Sequence, residues 1–354
     1  MLAKRFKDDG KSTVRLNKLQ WQMKRQIEQK IANGVYSFEE VPCCICGGKN
    51  FEILSKKDHF GLCMPVVICR DCGLAQTNPR MTRESYDQFY EIEYRRLYEG
   101  EDIPTHEFFK LQWEHGGEIY DYLIGNLAQS ELKNLFVVEV GCASGGILQR
   151  FKERGNEVYG VDLDSRYLEF GRVNYGLDME IGAIDKAVKL SRSADIVIYS
   201  HVLEHILDPI TELTKLREIM KENSFLYIEL PGIKYLGVSR GYQADFLRYL
   251  QNAHVYHFTQ TTLRNLLRKA GYDFVCGDEY IHSIFRKSPL PDSAAFHWDS
   301  DYQSVRSFLR RMEFMRLLPT THRLPSSFVR MTAKALKVAG VYDFALKLYR
   351  RVMS

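Results

Sequence analysis

The chain has 354 residues, 45% hydrophobic and 27% charged, a balance typical of globular proteins with one main domain and smaller additions. It contains no run of about 18 apolar residues, and its first residues, MLAKRFKDDGKS, lack the apolar core of a secretory signal, so we expect a cytoplasmic protein without a membrane span. The net charge of +4 combines basic ends (+6 over residues 1–30 and +9 over residues 306–354) with an acidic centre (−11), which favours solvated helix faces over a nucleic-acid partner.

A helical arm is predicted over residues 1–36. Apolar residues recur at partly helical spacing from Ser12 to Ala32, and Asn33-Gly34 is a typical helix stop.

Four of the eight cysteines form two C-x-x-C pairs in the next segment, residues 37–82. The pairs are separated by 22 residues, and in a reducing compartment this spacing suits a metal better than disulfides. Four thiolates from two tight turns close a tetrahedral shell around zinc, which makes such a site structural rather than catalytic. We therefore predict a zinc-ribbon-like module with the ligands Cys43, Cys46, Cys69 and Cys72.

Three further segments follow along the chain. Residues 83–130 are rich in aromatic and charged residues and are predicted to form a helical cap. Residues 131–290 alternate short β-branched apolar runs with helical spacing, which is the pattern of a buried parallel sheet in an α/β domain. Residues 291–354 are predicted to form basic amphipathic helices, the last at about 327–352, whose apolar stripe suits packing on the protein or, as the alternative, binding to an anionic membrane surface.

Two motifs in the α/β domain indicate a nucleoside-containing cofactor. The first strand, FVVEV, runs into a turn with Glu139, Gly141, Ala143 and Gly145, whose small residues allow a ligand to approach the backbone. The second strand, EVYGVDL, places Asp162 at its carboxyl end, where an acid can accept both hydroxyl hydrogens of a ribose.

These residues resemble the class I S-adenosylmethionine (SAM)-dependent methyltransferases, whose first motif is acid-x-Gly-x-Gly-x-Gly and whose second strand ends in Gly-Val-Asp. The resemblance implies a Rossmann-like domain with a mostly parallel seven-stranded sheet. It also implies a SAM site in which Asp162 holds the ribose and the loop from Glu139 through Gly141, Ala143 and Gly145 passes beneath the methionine moiety. Ala143 replaces the family's middle glycine, and the NAD-binding alternative lacks its G-x-G-x-x-G pattern.

The segment His201-Val-Leu-Glu204-His205 follows the fourth strand of this domain. It resembles a segment of methyltransferases that act on small molecules, where it lies beside the SAM sulfonium, so His201 is a candidate for cofactor contact and for catalysis. The same letters fit the inverted zinc-protease motif H-x-x-E-H, but that motif requires both histidines on one helix, whereas His201 directly follows a strand.

The order of cysteine module, Thr-Asn-Pro-Arg turn, aromatic segment and SAM domain resembles sugar C-methyltransferases and related enzymes of polysaccharide and antibiotic pathways, over residues 41–285. By this resemblance His254 is the candidate general base and Tyr90 a candidate substrate contact. Ala253 stands where those enzymes have a glutamate, which leaves carbon, oxygen and nitrogen acceptors open.

The predicted function is SAM-dependent methylation of a small molecule, and the predicted acceptor is a sugar, linked to a nucleotide or part of a glycan. An RNA methyltransferase is the first alternative, but the acidic centre and the absence of an N-P-P-Y or D-P-P-Y motif after the fourth strand disfavour it. A SAM-binding scaffold without catalysis is the second.

Overall fold

The computed structural model describes residues 1–100, 103–127, 130–190, 192–239, 241–291 and 296–317. The predicted tail helix at 327–352 lies outside these residues. Within the described ranges, no helix combines the length and the apolar character that crossing a bilayer requires.

The N-terminal part of the chain forms one long helix and two small sheets. Its elements are α1 (Lys18–Ala32), β1 (Phe38–Glu39), β2 (Phe51–Ser55), β3 (Val66–Cys69), β4 (Ala75–Thr77), β5 (Arg80–Met81), α2 (Arg83–Phe89) and α3 (Arg95–Tyr98). Helix α1 begins later than predicted because Asn17 and Gln20 form a reciprocal capping box at its start. A π-helical turn over Tyr90–Tyr94 joins α2 to α3.

The remaining described residues form an α/β domain with helices on both faces of a sheet. Its elements are α4 (His106–Leu127), β6 (Phe136–Val140), α5 (Gly146–Glu153), β7 (Glu157–Asp162), α6 (Ser165–Tyr175), β8 (Met179–Ile181), α7 (Ile184–Ala187), β9 (Ala194–Ser200), α8 (Pro209–Ile219), β10 (Met220–Glu229), α9 (Phe246–Tyr249), β11 (Tyr256–His257), α10 (Gln260–Lys269), β12 (Tyr272–Gly277), β13 (His282–Lys287) and α11 (Tyr302–Leu317).

Seven of these strands form one mixed sheet in the order β12-β13-β10-β9-β6-β7-β8. All neighbours pair in parallel except β13, which runs antiparallel to both β10 and β12. The prediction of a mostly parallel seven-stranded sheet is therefore confirmed, although β13 itself was not identified from the sequence. Strand β6 is buried along its whole length, as its β-branched run predicts.

The order of the strands determines where a ligand can bind. From β6 the chain proceeds to β7 and β8 on one side and then crosses to β9 and β10 on the other. In open α/β sheets such a reversal creates a crevice at the carboxyl ends of the strands. Gly141, Asp162 and His201 follow or end β6, β7 and β9, and therefore lie at this crevice.

The cysteine-bearing segment and the α/β domain share a second sheet. Strand β11 of the domain pairs with β4, giving a four-stranded sheet in the order β11-β4-β3-β2. The backbone N–H of Thr77 also donates to the carbonyl of Val255 at 2.8 Å. The domain boundaries assigned from the sequence stay predictions, but this sheet joins residues 37–82 directly to the domain.

Candidate functional site

The loop after β6 adopts a backbone that favours glycine at two of its positions. Gly141 has a φ of +75° and Gly145, which caps α5, has a φ of +80°. A Cβ atom added at Gly145 would lie 2.6 Å from Cδ1 of Leu177. The loop can take this path because these residues lack side chains.

Ala143 also lies in the left-handed region, with a φ of +45°. This conformation costs a residue with a Cβ atom roughly 1–2 kcal/mol. The backbone N–H of Ala143 donates to Oδ2 of Asp162 at 2.8 Å. Alanine therefore keeps the loop geometry at the position of the family's middle glycine, at a cost in strain.

Asp162 retains capacity to bind a ligand. Its Oδ2 accepts from Ala143, and its Oδ1 accepts from the backbone N–H of Asp164 at 2.8 Å. A carboxylate oxygen has two lone-pair positions, so each oxygen can accept one further hydrogen bond. This geometry fits a ribose with two adjacent hydroxyls.

Two exposed aliphatic side chains flank Asp162 and were missed by the sequence analysis. Leu163 follows β7 and is 65% exposed, and Ile181 ends β8 and is 49% exposed. Large apolar side chains at neighbouring strand ends provide a surface for a flat ring. The apolar residue directly after Asp162 was the signal that could have identified Leu163.

Glu139 lies beneath the loop and is 1% exposed. Burial raises the pKa of this carboxyl well above its usual range, and the negative charge of Asp162 raises it further. Among the described residues its Oε2 has no hydrogen-bond partner. A buried acceptor without a partner fits a polar group of a ligand above the loop.

Arg95 reaches the same crevice from the helical segment after the π-turn. Its guanidinium lies 4.4 Å from the ring centre of Tyr167, and its Nη2 lies 4.0 Å from Oδ1 of Asp162. Its Nε is 3.7 Å from Oδ2 of Asp164. No local pattern in the sequence indicated this residue, because the contact joins parts of the chain more than 60 positions apart.

His201 follows β9 with a φ of +56°, a conformation that is strained for histidine. Its imidazole is 53% exposed at the crevice, with Nδ1 3.6 Å from Oε1 of Glu204 and Nε2 3.6 Å from Oε1 of Glu229. Desolvation opposes the charged ring, but these two carboxylates outweigh it and raise the pKa of His201 to about 10. The ring therefore carries a positive charge near neutral pH.

Glu229 is the centre of a histidine cluster that the sequence analysis did not identify. Its Oε2 lies 2.8 Å from Nε2 of His115, and its Oε1 lies 3.6 Å from Nε2 of His282. Burial alone would raise the pKa of Glu229, but His115, His201 and His282 reverse the effect and lower it. The cluster fixes a negative charge beside the ring of His201.

His254 lies just before β11 and is 6% exposed. Burial lowers the pKa of its imidazole well below the usual value, and the neighbouring His205 lowers it further. The His254 carbonyl accepts a hydrogen bond from Oγ1 of Thr77 at 3.1 Å, so strand β4 holds this histidine in place. The sequence-predicted His254 and His201 therefore have different environments, since His254 is buried and His201 is half-exposed between two carboxylates.

Tyr90 contacts a histidine rather than an open cavity. Its hydroxyl lies 2.5 Å from Nδ1 of His205, and its ring stacks on Tyr94 with centres 4.3 Å apart. The rings of His205 and His254 meet edge to face with centres 4.7 Å apart. Tyr90 thus belongs to the surroundings of His254.

The four predicted cysteine ligands form one cluster. Sγ of Cys43 lies 3.3 Å from Sγ of Cys72, and Sγ of Cys46 lies 3.5 Å from Sγ of Cys69. All four sulfur atoms lie within 4.8 Å of one another. Thiolates about 2.3 Å from a shared zinc ion stand about 3.8 Å apart in a tetrahedron, so the cluster fits such an ion with small adjustments.

Comparison with known proteins relates the α/β domain to methyltransferases. Residues 113–276 match the family model described as a methyltransferase domain. Over 130 residues the chain is 25% identical to the ubiquinone biosynthesis O-methyltransferase of Nitrosomonas europaea, and the matched stretch covers 35% of this chain and 52% of the relative. The chain therefore spans about half the length of that curated relative.

Solved structures of methyltransferases resemble parts of the chain. A 1,6-didemethyltoxoflavin-N1-methyltransferase from Burkholderia thailandensis, solved with its acceptor and S-adenosylhomocysteine, is 17% identical, with a TM-score of 0.42 over 62% of this chain and 98% of the other. An amino pentose methyltransferase from Micromonospora echinaspora is 18% identical, with a TM-score of 0.29 over 40% of this chain and 56% of the other.

Proposed function

We propose that this protein is a methyltransferase that binds SAM at the carboxyl ends of β6 and β7 and transfers its methyl group to a hydroxyl of a small-molecule acceptor. The observation that carries the proposal is the carboxylate of Asp162, whose two oxygens each keep room for one ribose hydroxyl beside the left-handed loop. Bound SAM supplies an electrophilic methyl group on a sulfonium.

The chain's own residues are assigned as follows in this proposal. Asp162 binds the ribose, and the loop residues Glu139, Gly141, Ala143 and Gly145 lie along the methionine moiety. Leu163 and Ile181, both exposed, pack on the adenine. Their packing replaces the acidic adenine contact that many family members have after the third strand.

On the acceptor side, we infer that His254 and His201 control the proton of the hydroxyl. Methyl transfer is an in-line displacement, so the protein mainly aligns the acceptor and removes its proton. His254 is uncharged near neutral pH and can accept a proton, whereas His201 is charged and lies beside Glu204 and Glu229. Tyr90 supports this region through His205.

A sugar, linked to a nucleotide or a glycan, is the acceptor class that we propose. Support comes from the order of the cysteine module, the Thr-Asn-Pro-Arg turn and the aromatic segment, which resembles sugar methyltransferases. The same turn lies beside His254, since Thr77 bonds to its carbonyl and Arg80 donates to the carbonyl of Leu207 at 2.5 Å. The missing glutamate at Ala253 favours a hydroxyl over a carbon acceptor, because a hydroxyl loses its proton more readily.

We also propose that Cys43, Cys46, Cys69 and Cys72 hold a structural zinc ion. The compact cluster of four sulfur atoms supports this proposal. A closed thiolate shell leaves no open coordination position, so the ion would stabilise the fold of residues 37–82 rather than take part in methyl transfer.

Calorimetry with SAM tests the donor site. Asp162→Ala should weaken SAM binding by a few kcal/mol, since each hydrogen bond to a charged group contributes about 1.5–3 kcal/mol. Asp273→Ala, an exposed acid on the distant strand β12, is the matched control and should bind SAM normally. Equal affinities of the two variants would contradict the assignment.

Turnover with labelled SAM tests the acceptor side. Nucleotide-linked sugars should accept label, and His254→Ala should lower that rate roughly a hundredfold to ten-thousandfold while SAM affinity is kept. Transfer to a catechol but to no sugar would contradict the acceptor class. A near-normal rate in His254→Ala would leave His201 as the residue to test next.

A further inference from the structure

Three side chains with metal-binding atoms converge between β9 and β11. Glu204 and His205 lie on the short helical turn after β9, and His254 lies on the segment that leads into β11. One ligand atom from each residue lies within 4.8 Å of the others, and Nε2 of His205 is 3.8 Å from Oε1 of Glu204. The segments are joined where the N–H of Val255 donates to the Glu204 carbonyl at 2.8 Å.

The carboxylate of Glu204 is buried without a hydrogen bond. The residue is 1% exposed, and neither Oε1 nor Oε2 has a hydrogen-bond partner among the described residues. The ring of His201 approaches one oxygen to 3.6 Å, which is beyond hydrogen-bond distance. The ion pair with His201 leaves both carboxylate oxygens without hydrogen bonds, which is costly for a buried group, so their lone pairs can bind a metal cation.

The hydrogen bonds of His205 direct one ring nitrogen toward Glu204. Nδ1 lies 3.0 Å from the carbonyl oxygen of Ala253, and a carbonyl can only accept, so Nδ1 carries the hydrogen. The hydroxyl oxygen of Tyr90 lies near the same nitrogen. Nε2 is therefore the nitrogen with the free lone pair, and a carbonyl behind the other nitrogen is the usual arrangement for a histidine that binds a metal.

His254 supplies the third ligand from a fixed backbone. Its N–H donates to the carbonyl of Gln251 at 3.1 Å, and its own carbonyl accepts from Thr77. Within the described part of the chain its imidazole makes no side-chain hydrogen bond, so either ring nitrogen can bind the ion.

We propose that Glu204, His205 and His254 form a site for a divalent first-row metal ion beside the proposed SAM site, where the acceptor would bind. Two imidazoles and one carboxylate leave coordination positions open, unlike the closed cysteine cluster. The site differs from the H-x-x-E-H arrangement, because His201 is not a ligand and no helix carries the set. The ring of Tyr94 lies 5.8 Å from His205 and connects the site to Arg95 beside Asp162.

This inference rests on the proposed function, but in it His254 binds the metal ion instead of accepting the acceptor's proton. An acceptor hydroxyl on an open position would lose its proton more readily, because a divalent cation stabilises the alkoxide. The oxygen then bonds to the donor methyl carbon while the carbon–sulfur bond breaks and its electron pair stays on sulfur. The released proton passes to water, so the step balances as acceptor and sulfonium to methyl ether, thioether and a proton.

Metal titration of the full chain tests the site independently of turnover. The protein is first treated with a mild chelator, and elemental analysis checks that zinc stays at the cysteine cluster. Mn²⁺ is then added, and its binding is measured from the loss of the electron paramagnetic resonance signal of the free ion. Co²⁺ is added in a parallel titration, because its spectrum separates imidazole and carboxylate ligands from thiolates. We expect one ion per chain outside the cysteine cluster.

Glu204→Gln should weaken that binding at least tenfold, and His254→Gln should do the same. Glu212→Gln is the matched control, since Glu212 is a carboxylate on α8 bonded to Tyr199, and it should bind the ion like the unmodified protein. Glu204→Gln removes a buried charge that makes no hydrogen bond, so its thermal unfolding should confirm an intact fold. Failure of both Mn²⁺ and Co²⁺ to bind, or equal binding by Glu204→Gln, would overturn the site.

Turnover and SAM calorimetry on the same samples separate the two proposals. Metal-free protein should bind SAM normally but turn over at least tenfold more slowly until Mn²⁺ or Co²⁺ is added. Ion binding with no effect on the rate would overturn the role of the ion in proton removal. The effect of Asp162→Ala on SAM binding concerns only the SAM site, and it neither supports nor contradicts the metal site.

Discussion

The loop after β6, from Glu139 to Gly145, is called the donor loop because we propose that it binds the methyl donor SAM. Ala143 is the residue at which this loop departs from the glycine pattern of the methyltransferases that it resembles. It keeps the left-handed backbone that the loop requires, and it still donates to Asp162. We expect Ala143→Gly to raise thermal stability by a few degrees at most, because it removes a strain of about 1 kcal/mol. SAM affinity should not fall.

Gly145→Ala is the opposite change in the same loop. It places a Cβ atom at a φ of +80° and 2.6 Å from Leu177, so it should lower stability and weaken SAM binding. Thermal unfolding with and without SAM measures both variants. A shift of both variants in the same direction would contradict the strain argument.

Asp58 provides a pH-dependent test at the residue scale. It is 1% exposed, its Oδ1 accepts from the N–H of Leu62, and its Oδ2 has no partner among the described residues. Burial raises its pKa to about 7 from an ordinary value near 4, so the folded state holds a proton that the unfolded state has lost. Folding stability from this group therefore falls as pH rises from about 4 to about 7.

Asp58→Asn should remove this loss. Its advantage in unfolding free energy over the unmodified protein should grow by about 2 kcal/mol between pH 5 and pH 8. Urea unfolding at the two pH values measures it, with Asp273→Asn, an exposed acid, as a control that should show no such growth. An advantage that is the same at both pH values would contradict burial as the cause.

At the scale of elements, the sheet that β4 forms with β11 links the cysteine cluster to His254. Cys69 ends β3, and β3 pairs with β4, which bonds to the backbone around His254. Cys69→Ser should therefore lower zinc content, destabilise residues 37–82 and slow turnover, while SAM affinity changes little. Elemental analysis, calorimetry and turnover assays measure these effects.

Cys276→Ser is a suitable control for this experiment, because Cys276 lies on β12, outside the cysteine cluster. If Cys69→Ser loses SAM affinity as strongly as turnover, then the module supports the whole domain rather than the acceptor side. Unchanged zinc content in Cys69→Ser would contradict its assignment as a ligand.

At the scale of the whole molecule, the first residues of the chain and helix α11 meet on α9. Phe6, Phe246 and Phe308 belong to one buried cluster, and Arg5 bridges Asp245 and Glu313 at 2.6 Å each. Ending the chain after Leu290 removes α11 and these contacts, so that variant should unfold at a lower temperature than the full chain. Thermal unfolding of the two proteins measures the difference.

The basic tail beyond residue 317 stays a prediction, since it lies outside the described residues. Ending the chain after residue 317 tests it while α11 is kept. If the tail binds an anionic membrane, the full chain should sediment with anionic vesicles at low salt and be released as salt rises, whereas the shortened chain should not sediment. Equal sedimentation of both proteins would exclude that role for the tail.

The sequence by itself determined the α/β domain and the donor loop. Strands such as β6 and β9 are buried on both faces, so they appear in the sequence as short apolar runs. The turn after β6 has a left-handed backbone at Gly141 and Gly145, and glycine is the residue that adopts this backbone most easily. The pairing of two C-x-x-C turns was equally local, and the structure brings all four sulfur atoms together.

Only the tertiary structure decided which distant side chains meet at the crevice. Arg95 lies beside Asp162, His115 bonds to Glu229, and Glu204 lies with His254. These contacts depend on strand order, on the register of β11 with β4 and on the path of the helix after the π-turn. None of these leaves a periodic pattern in the sequence, because periodicity records which face of an element is buried and not which residue lies opposite.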